Sequence, residues 1–121
     1  MEPESRNCEA IMQAWYGGER GGGAVADILF GDYNPSGKLP ITFYKNDSQL
    51  PDFEDYKMAG RTYRYFKGEP LFKFGHGLSY TSFAYGKLAL SSNTMQPGGE
   101  ITVSVDITNT GDRAGKEIVQ L

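Results

Sequence analysis

The sequence predicts a composite fold: an α/β unit, a long aromatic connection, and then the opening strands of an antiparallel β-sandwich. Three observations carry this. An apolar face at helical spacing follows a glycine cluster near residue 24, and a strict alternation of apolar and polar residues runs over 101–108. Around them lie four blocks of aromatic, glycine and proline residues, at 15–22, 30–40, 60–66 and 74–83. Glycine and proline fix backbone geometry and aromatics fix packing, so such blocks specify shape rather than reactivity.

The elements follow in order. Ala10-Ile11-Met12-Gln13-Ala14-Trp15 is a short, mostly apolar run ending in glycines, which favours a buried strand feeding a loop. After Gly21-Gly22-Gly23, residues Val25, Ile28 and Leu29 fall at i, i+3 and i+4, and Gly31 stands where a helix C′ residue would sit. Strand, glycine loop and helix in that order make an α/β unit. Asn34-Pro35-Ser36-Gly37 reads as a turn that uses a positive φ at Gly37. Lys38 to Tyr44 reads as a strand, with Pro40 pushing it to an edge. Residues 45–75 read as an ordered connection packed through Phe53, Tyr56, Tyr63, Tyr65 and Phe66.

Beyond Phe83 the periodicity changes to two. Ile101, Val103, Val105 and Ile107 alternate with Thr102, Ser104, Asp106 and Thr108, as in a half-buried antiparallel strand. Leu88 and Leu90 mark a weaker strand before it, with Gln96-Pro97-Gly98-Gly99 as the turn between. Asn109 to Asp112 turns the chain again, and Glu117 to Leu121 starts another strand whose edge is left unpaired. Short strands at this spacing suggest a sandwich.

Composition narrows the function. The 121 residues hold one domain or pieces of two, and the net charge of −3 leaves no basic stripe for nucleic acid. No apolar run is long enough to span a membrane, and the N-terminal MEPESRN has no signal-peptide core. The single Cys8 forms no internal disulfide, and the single His76 rules out a multi-histidine metal site within these residues. Flanked by Gly75 and Gly77, His76 is expected to act as a structural donor in a tight turn.

Candidate chemistry is sparse. The Gly17–Gly23 cluster matches neither phosphate-binding glycine pattern, and Glu19 would repel phosphate. Ligands of parallel α/β sheets bind beyond the carboxyl ends of strands, where Tyr16, Glu19 and Arg20 would lie. These are the candidate substrate-side residues; the alternative is a solvated loop. Asp52, Glu54 and Asp55 crowd round Phe53, but residues so close in sequence rarely face each other across a scissile bond. No catalytic residue, metal ligand or cofactor site is therefore assigned. Trp15 and the tyrosines read as packing anchors, with sugar stacking as the alternative.

The four blocks in this order resemble the C-terminal part of glycoside hydrolase family 3, the β-glucosidase and β-xylosidase family. AWYGGERGGGAVADILFGDYNPSGKLPITFY resembles the end of that family's α/β sandwich domain, and LPDFEDYKMAGRTYRYF the connection after it. FGHGLSYTSF resembles the lead into the third domain, and ITVSVDITNTGDRAGKEIVQL the first strands of a fibronectin-III-like β-sandwich. The resemblance implies three segments: residues 1–44, 45–83 and 84–121, with both flanking domains incomplete. Gly17 and Arg20 depart from the proline and glutamate common at those places. The family's nucleophilic aspartate belongs to an N-terminal barrel and its acid/base glutamate lies earlier in the second domain, so neither falls on a residue here.

The expectation is a non-catalytic C-terminal piece of a retaining β-glycosidase, inactive alone. Its implied partners are the missing barrel and a β-linked oligosaccharide or glycoside, in a periplasmic or secreted parent, with self-association through open strand edges. The alternative is a free-standing β-sandwich module for carbohydrate binding or interaction.

Overall fold

A computed structural model describes residues 2–120. Helix α1 (Glu2–Asn7) opens the chain, and α2 (Gly21–Leu29) follows an irregular stretch. A single 3-10 turn (Asp47–Gln49) and the one-turn helix α3 (Thr62–Tyr65) lie in the connection. Four short strands end the chain: β1 (Phe83–Tyr85), β2 (Ala89–Leu90), β3 (Val103–Ser104) and β4 (Ile107–Asn109).

Helix α2 forms where the apolar face demands it and extends back to Gly21. Phe30 and Gly31 donate to the carbonyls of Ala26 and Ile28 at its C-terminus, and Gly31 takes φ 82°. A residue with a Cβ is disfavoured in that left-handed region, so glycine ends the helix there. The strand expected over residues 10–15 does not form, and the segment is irregular. A buried strand needs a neighbour to take its amides, and no described strand pairs with it.

The Asn34–Gly37 turn is also absent: the chain bends at Gly31–Tyr33 and then runs irregularly, with Gly37 outside the positive-φ region. Asn34 is engaged elsewhere instead, as described below. The Lys38–Tyr44 strand shrinks to a bridge between Phe43 and Phe72, although Leu39 also donates its amide to the His76 carbonyl at 2.8 Å and accepts from the Gly75 amide at 2.7 Å. Between them Pro40, which has no amide to donate, interrupts the pairing, and Gly75 takes φ 78°. His76 donates its main-chain amide to the Lys73 carbonyl in a turn, while its ring stacks on Phe72 at 5.2 Å.

The connection packs through fewer aromatics than the sequence suggests. Tyr63 stacks on Phe74 at 4.3 Å, and Phe66 meets Tyr44 edge-on at 4.9 Å. Phe53 and Tyr56, by contrast, are 91% and 89% exposed.

The alternating segment 101–108 is split between two antiparallel pairs, β1 with β4 and β2 with β3. Tyr85 lies opposite Ile107 and Ala89 opposite Ser104, so residues 86–88 face only Val105 and Asp106. That is a one-residue bulge, closed by the Gly86 amide on the Asp106 carbonyl at 2.8 Å. Its effect is on facing. Tyr85, Leu88 and Leu90 share one face with Val103, Val105 and Ile107, because directly opposed residues project to the same side. The Gln96–Gly99 turn closes with the Gly99 amide on Gln96, whereas Glu117–Gln120 is not a strand. Leu121 lies outside the described residues.

No described residue is buried. The accessible surface is 10019 Å², whereas a compact monomer of 13.4 kDa would expose about 6,500 Å². The excess of roughly 3,500 Å² exceeds what two proteins usually bury on binding. The apolar faces are assembled, but nothing in the described chain covers them.

Candidate functional site

The loop before α2 carries the side chains singled out from the sequence. Gly21 donates to the Gly18 carbonyl at 2.9 Å and Ala24 to that of Arg20 at 3.1 Å, so the chain turns directly into the helix. Tyr16, Glu19 and Arg20 are all exposed on this loop. Arg20 occupies the N-cap position, and its side chain makes no cap hydrogen bond. Trp15 sits at φ 53°, a left-handed conformation that costs a residue with a Cβ about 1–2 kcal/mol. The three residues are brought together by sequence adjacency, and no described distant residue joins them.

The acidic cluster does something else. Asp52 accepts from the Glu54 amide at 2.9 Å and Asp55 from the Lys57 amide at 3.0 Å. Each carboxylate closes its own turn, the usual local role of aspartate. Arg61 then donates to the carbonyls of Lys57, Asp52 and Asp55, so the loop is wrapped round one guanidinium. Beside it, Leu50, Phe53, Tyr56 and Met58 line an open cleft of about 480 Å³. No facing pair of carboxyls arises from these residues.

A polar clasp ties α2 to the last turn of the chain. The Asn34 amide group donates to the Ala114 carbonyl at 2.9 Å, and its oxygen accepts from Ser79 Oγ and the Tyr80 amide, both at 2.8 Å. Tyr80 Oη donates to the Ile28 carbonyl at 2.7 Å, and Arg113 donates to that of Gly31. Both donors meet carbonyls at the negative end of α2, where such contacts are favourable. Lys38 lies 3.5 Å from Glu117 with both side chains only about 15% exposed, and it also donates to the Gly77 carbonyl. Tyr85 Oη donates to the same Glu117 carboxylate at 2.8 Å, and this bond holds the phenol pKa above its ordinary value. Gly77 is required here: a Cβ on it would lie 2.2 Å from the Gly37 carbonyl oxygen.

A second cavity, of about 330 Å³, opens between the edge segment and α3. Tyr63, Phe66 and Phe74 form its aromatic wall, Glu69 and Lys73 stand at its rim, and Thr42 lines its base. Thr42 Oγ1 is shielded from solvent and has no hydrogen-bond partner among the described residues. Tyr44 Oη accepts from the Thr62 amide at 3.0 Å and holds Thr62 at φ 57°, which sets Tyr63 against Phe74. None of Thr42, Phe74, Asn34, Arg113 or Glu117 was legible as a site residue. Their roles depend on partners tens of residues away. Among the described residues no group of three or more His, Cys, Asp or Glu could hold a metal, and Cys8 is free and exposed. No described helix is long and apolar enough to cross a membrane.

Comparison with known proteins adds the family. Residues 1–80 match the glycosyl hydrolase family 3 C-terminal domain. A xylan 1,4-β-xylosidase of Xylanibacter ruminicola is 57% identical over 121 residues, all of this chain and 14% of its own length. A periplasmic β-glucosidase of Salmonella typhimurium is 45% identical over 98% of this chain and 17% of its own. Among solved structures, a β-glucosidase from Erythrobacter marinus superposes with a TM-score of 0.77 at 50% identity, over 93% of this chain and 15% of that one. β-Glucosidase 3B from Thermotoga neapolitana gives 0.72 at 40% identity, over 84% and 16%. The chain thus spans about a seventh to a sixth of the length of these curated relatives.

Proposed function

The chain belongs to glycosyl hydrolase family 3, and from that premise we propose that it serves as a non-catalytic part of a retaining β-glycosidase acting on terminal β-xylosides or β-glucosides. The observation that carries this is the 57% identity to a xylan 1,4-β-xylosidase along the whole chain, over only 14% of that enzyme. Retaining hydrolysis needs two carboxyls about 5–5.5 Å apart across the glycosidic bond. The densest acidic cluster here is committed to its own turns, which agrees with a catalytic pair carried elsewhere in a longer protein.

In this reading residues 1–44 end an α/β sandwich domain, 45–83 connect, and 84–121 begin a fibronectin-III-like β-sandwich. The apolar face from Tyr85 to Ile107 supports the last assignment, because a two-stranded ribbon with one apolar face is stable only against a second layer. Tyr16, Glu19 and Arg20 form a loop on the substrate side. The partners are an N-terminal barrel and a β-linked glycoside. A free-standing module fits less well, since its core would be covered from within.

The test is hydrolysis of nitrophenyl β-xyloside and β-glucoside. The intact reading frame that contains this segment turns over at least one of them, and the 121-residue chain alone turns over neither. Turnover by the chain alone, or by neither protein, removes the reading. Arg20→Ala in the intact protein raises KM for the favoured substrate, and an unchanged KM removes the loop assignment.

A further inference from the structure

We infer that Tyr80 and Arg113 are positioning residues: they fix helix α2 lengthwise from its C-terminal end and so set where the Tyr16–Arg20 loop stands. The mechanical link rests on the structure alone, whereas the contact of that loop with substrate rests on the glycosidase reading.

The N-terminal end of α2 holds itself weakly. Its first turn is Gly21-Gly22-Gly23, and glycine is the poorest helix former after proline. Arg20 at the N-cap makes no cap hydrogen bond, and the first turn carries no acidic residue to meet the helix dipole. At nine residues the helix is also shorter than isolated helices that persist in water.

The loop rides on that end. The Gly21 amide donates to the Gly18 carbonyl at 2.9 Å, and a Cβ on Gly17 would lie 3.0 Å from Gly21 Cα. Backbone thus rests on backbone, with no side chain between them to absorb a shift. A displacement of α2 along its axis carries residues 16–20 with it.

The other end is anchored. Tyr80 Oη donates to the Ile28 carbonyl at 2.7 Å and Arg113 to that of Gly31, while the Arg113 guanidinium lies over the Tyr80 ring at 5.4 Å. The anchors are held in turn by the ribbon. Asn109, the last residue of β4, donates from Nδ2 to the Arg113 carbonyl at 2.7 Å. Its Oδ1 accepts from Thr81 Oγ1 at 2.7 Å and from the Gly111 amide at 3.0 Å. One asparagine therefore joins the segment before β1 to the turn after β4, and both anchors stand on that joint.

Apolar contact through the half-buried Val25 and Ile28 selects the face that α2 turns inward. Such contact has no direction and lets a helix slide. Hydrogen bonds to the terminal carbonyls are directional and fix its place along the axis. They act about 13 Å from the loop, the length of nine helical residues.

The experiment is amide hydrogen exchange of the intact protein read by mass spectrometry, with KM and kcat on the nitrophenyl glycosides measured beside it. Tyr80→Phe removes the Oη donor and keeps the ring, and Arg113→Met removes the guanidinium and keeps the stem. Each speeds exchange at the hydrogen-bonded Gly21 and Ala24 amides about threefold to tenfold, the loss of one hydrogen bond, while residues 83–109 exchange as in wild type. KM rises by a similar factor, and kcat changes less. Unchanged exchange over 15–24 in both variants overturns the positioning role. An equal rise over 83–109 also overturns it, because general loosening would act everywhere. Faster exchange over 15–24 with KM unchanged upholds the positioning role and removes the loop from the substrate side instead. If neither glycoside is turned over, the glycosidase reading fails, and exchange still decides the role of Tyr80 and Arg113.

Discussion

Asn34 uses both ends of its amide at once, on a loop 45 residues from Ser79 and 80 from Ala114. Asn34→Ala removes three hydrogen bonds and leaves the Ala114 carbonyl and Tyr80 amide to find other partners. We expect a loss of about 2–3 kcal/mol, at about 1 kcal/mol per bond, read from urea denaturation of the intact protein. The Asn-Pro-Ser-Gly string advertised a turn, because local pattern says nothing about a side chain recruited across such distances. Glu117 shows the same blindness, being read as a strand residue when it receives Lys38 and Tyr85. Tyr85 also predicts a pH dependence. Its phenol is bonded to Glu117 in the folded state, which raises its pKa above the ordinary 10.0. The stabilisation is therefore whole below about pH 10 and is lost as pH rises through the folded value. Tyr85→Phe should flatten that alkaline fall, and a melting temperature with the same pH profile as wild type would refute the linkage.

Among the elements, the bulge at 86–88 is the most testable. Deleting Lys87 leaves two residues opposite Val105 and Asp106, so the ladder becomes regular and Leu88 and Leu90 keep their face. Deleting Ala89 instead turns Leu88 to the opposite side. The Ala89 deletion should cost the intact protein at least about 1 kcal/mol more than the Lys87 deletion, the scale of burying one leucine side chain. Equal losses would mean that facing does not matter. The sequence revealed this region unevenly for a physical reason. The period of two across 101–108 was visible, but a bulge is set by how many residues the partner strand supplies, and a single strand does not contain that count. Helix α2 was legible because its face and its Gly31 stop are both local. The strand over 10–15 was misread because an apolar run becomes a strand only beside another strand. The Thr42 cavity had no signal at all: an unpartnered hydroxyl is a property of packing, although the aromatics that wall it were visible as packing residues.

On the scale of the whole molecule, the chain exposes about half as much surface again as a compact protein of its mass. Expressed alone, it should therefore bind a hydrophobic dye, melt over a broad range and associate through the open edges of its two ribbons. A sharp, concentration-independent melt of a monomer would contradict this, and sedimentation alongside calorimetry decides it. The family resemblance was legible from ordered blocks because glycines and aromatics are set by close approach and packing, which outlast changes at the surface. The clasp has one more consequence, in the order of events during synthesis. Asn34 leaves the ribosome some 80 residues before Ala114. At about 5–20 residues per second, helix α2 waits roughly 4–16 s before the carbonyl that anchors its following loop exists. Through that interval α2 is a nascent helix with an untied end, the stage at which a chaperone or an earlier-made portion of the same polypeptide has its best access to it.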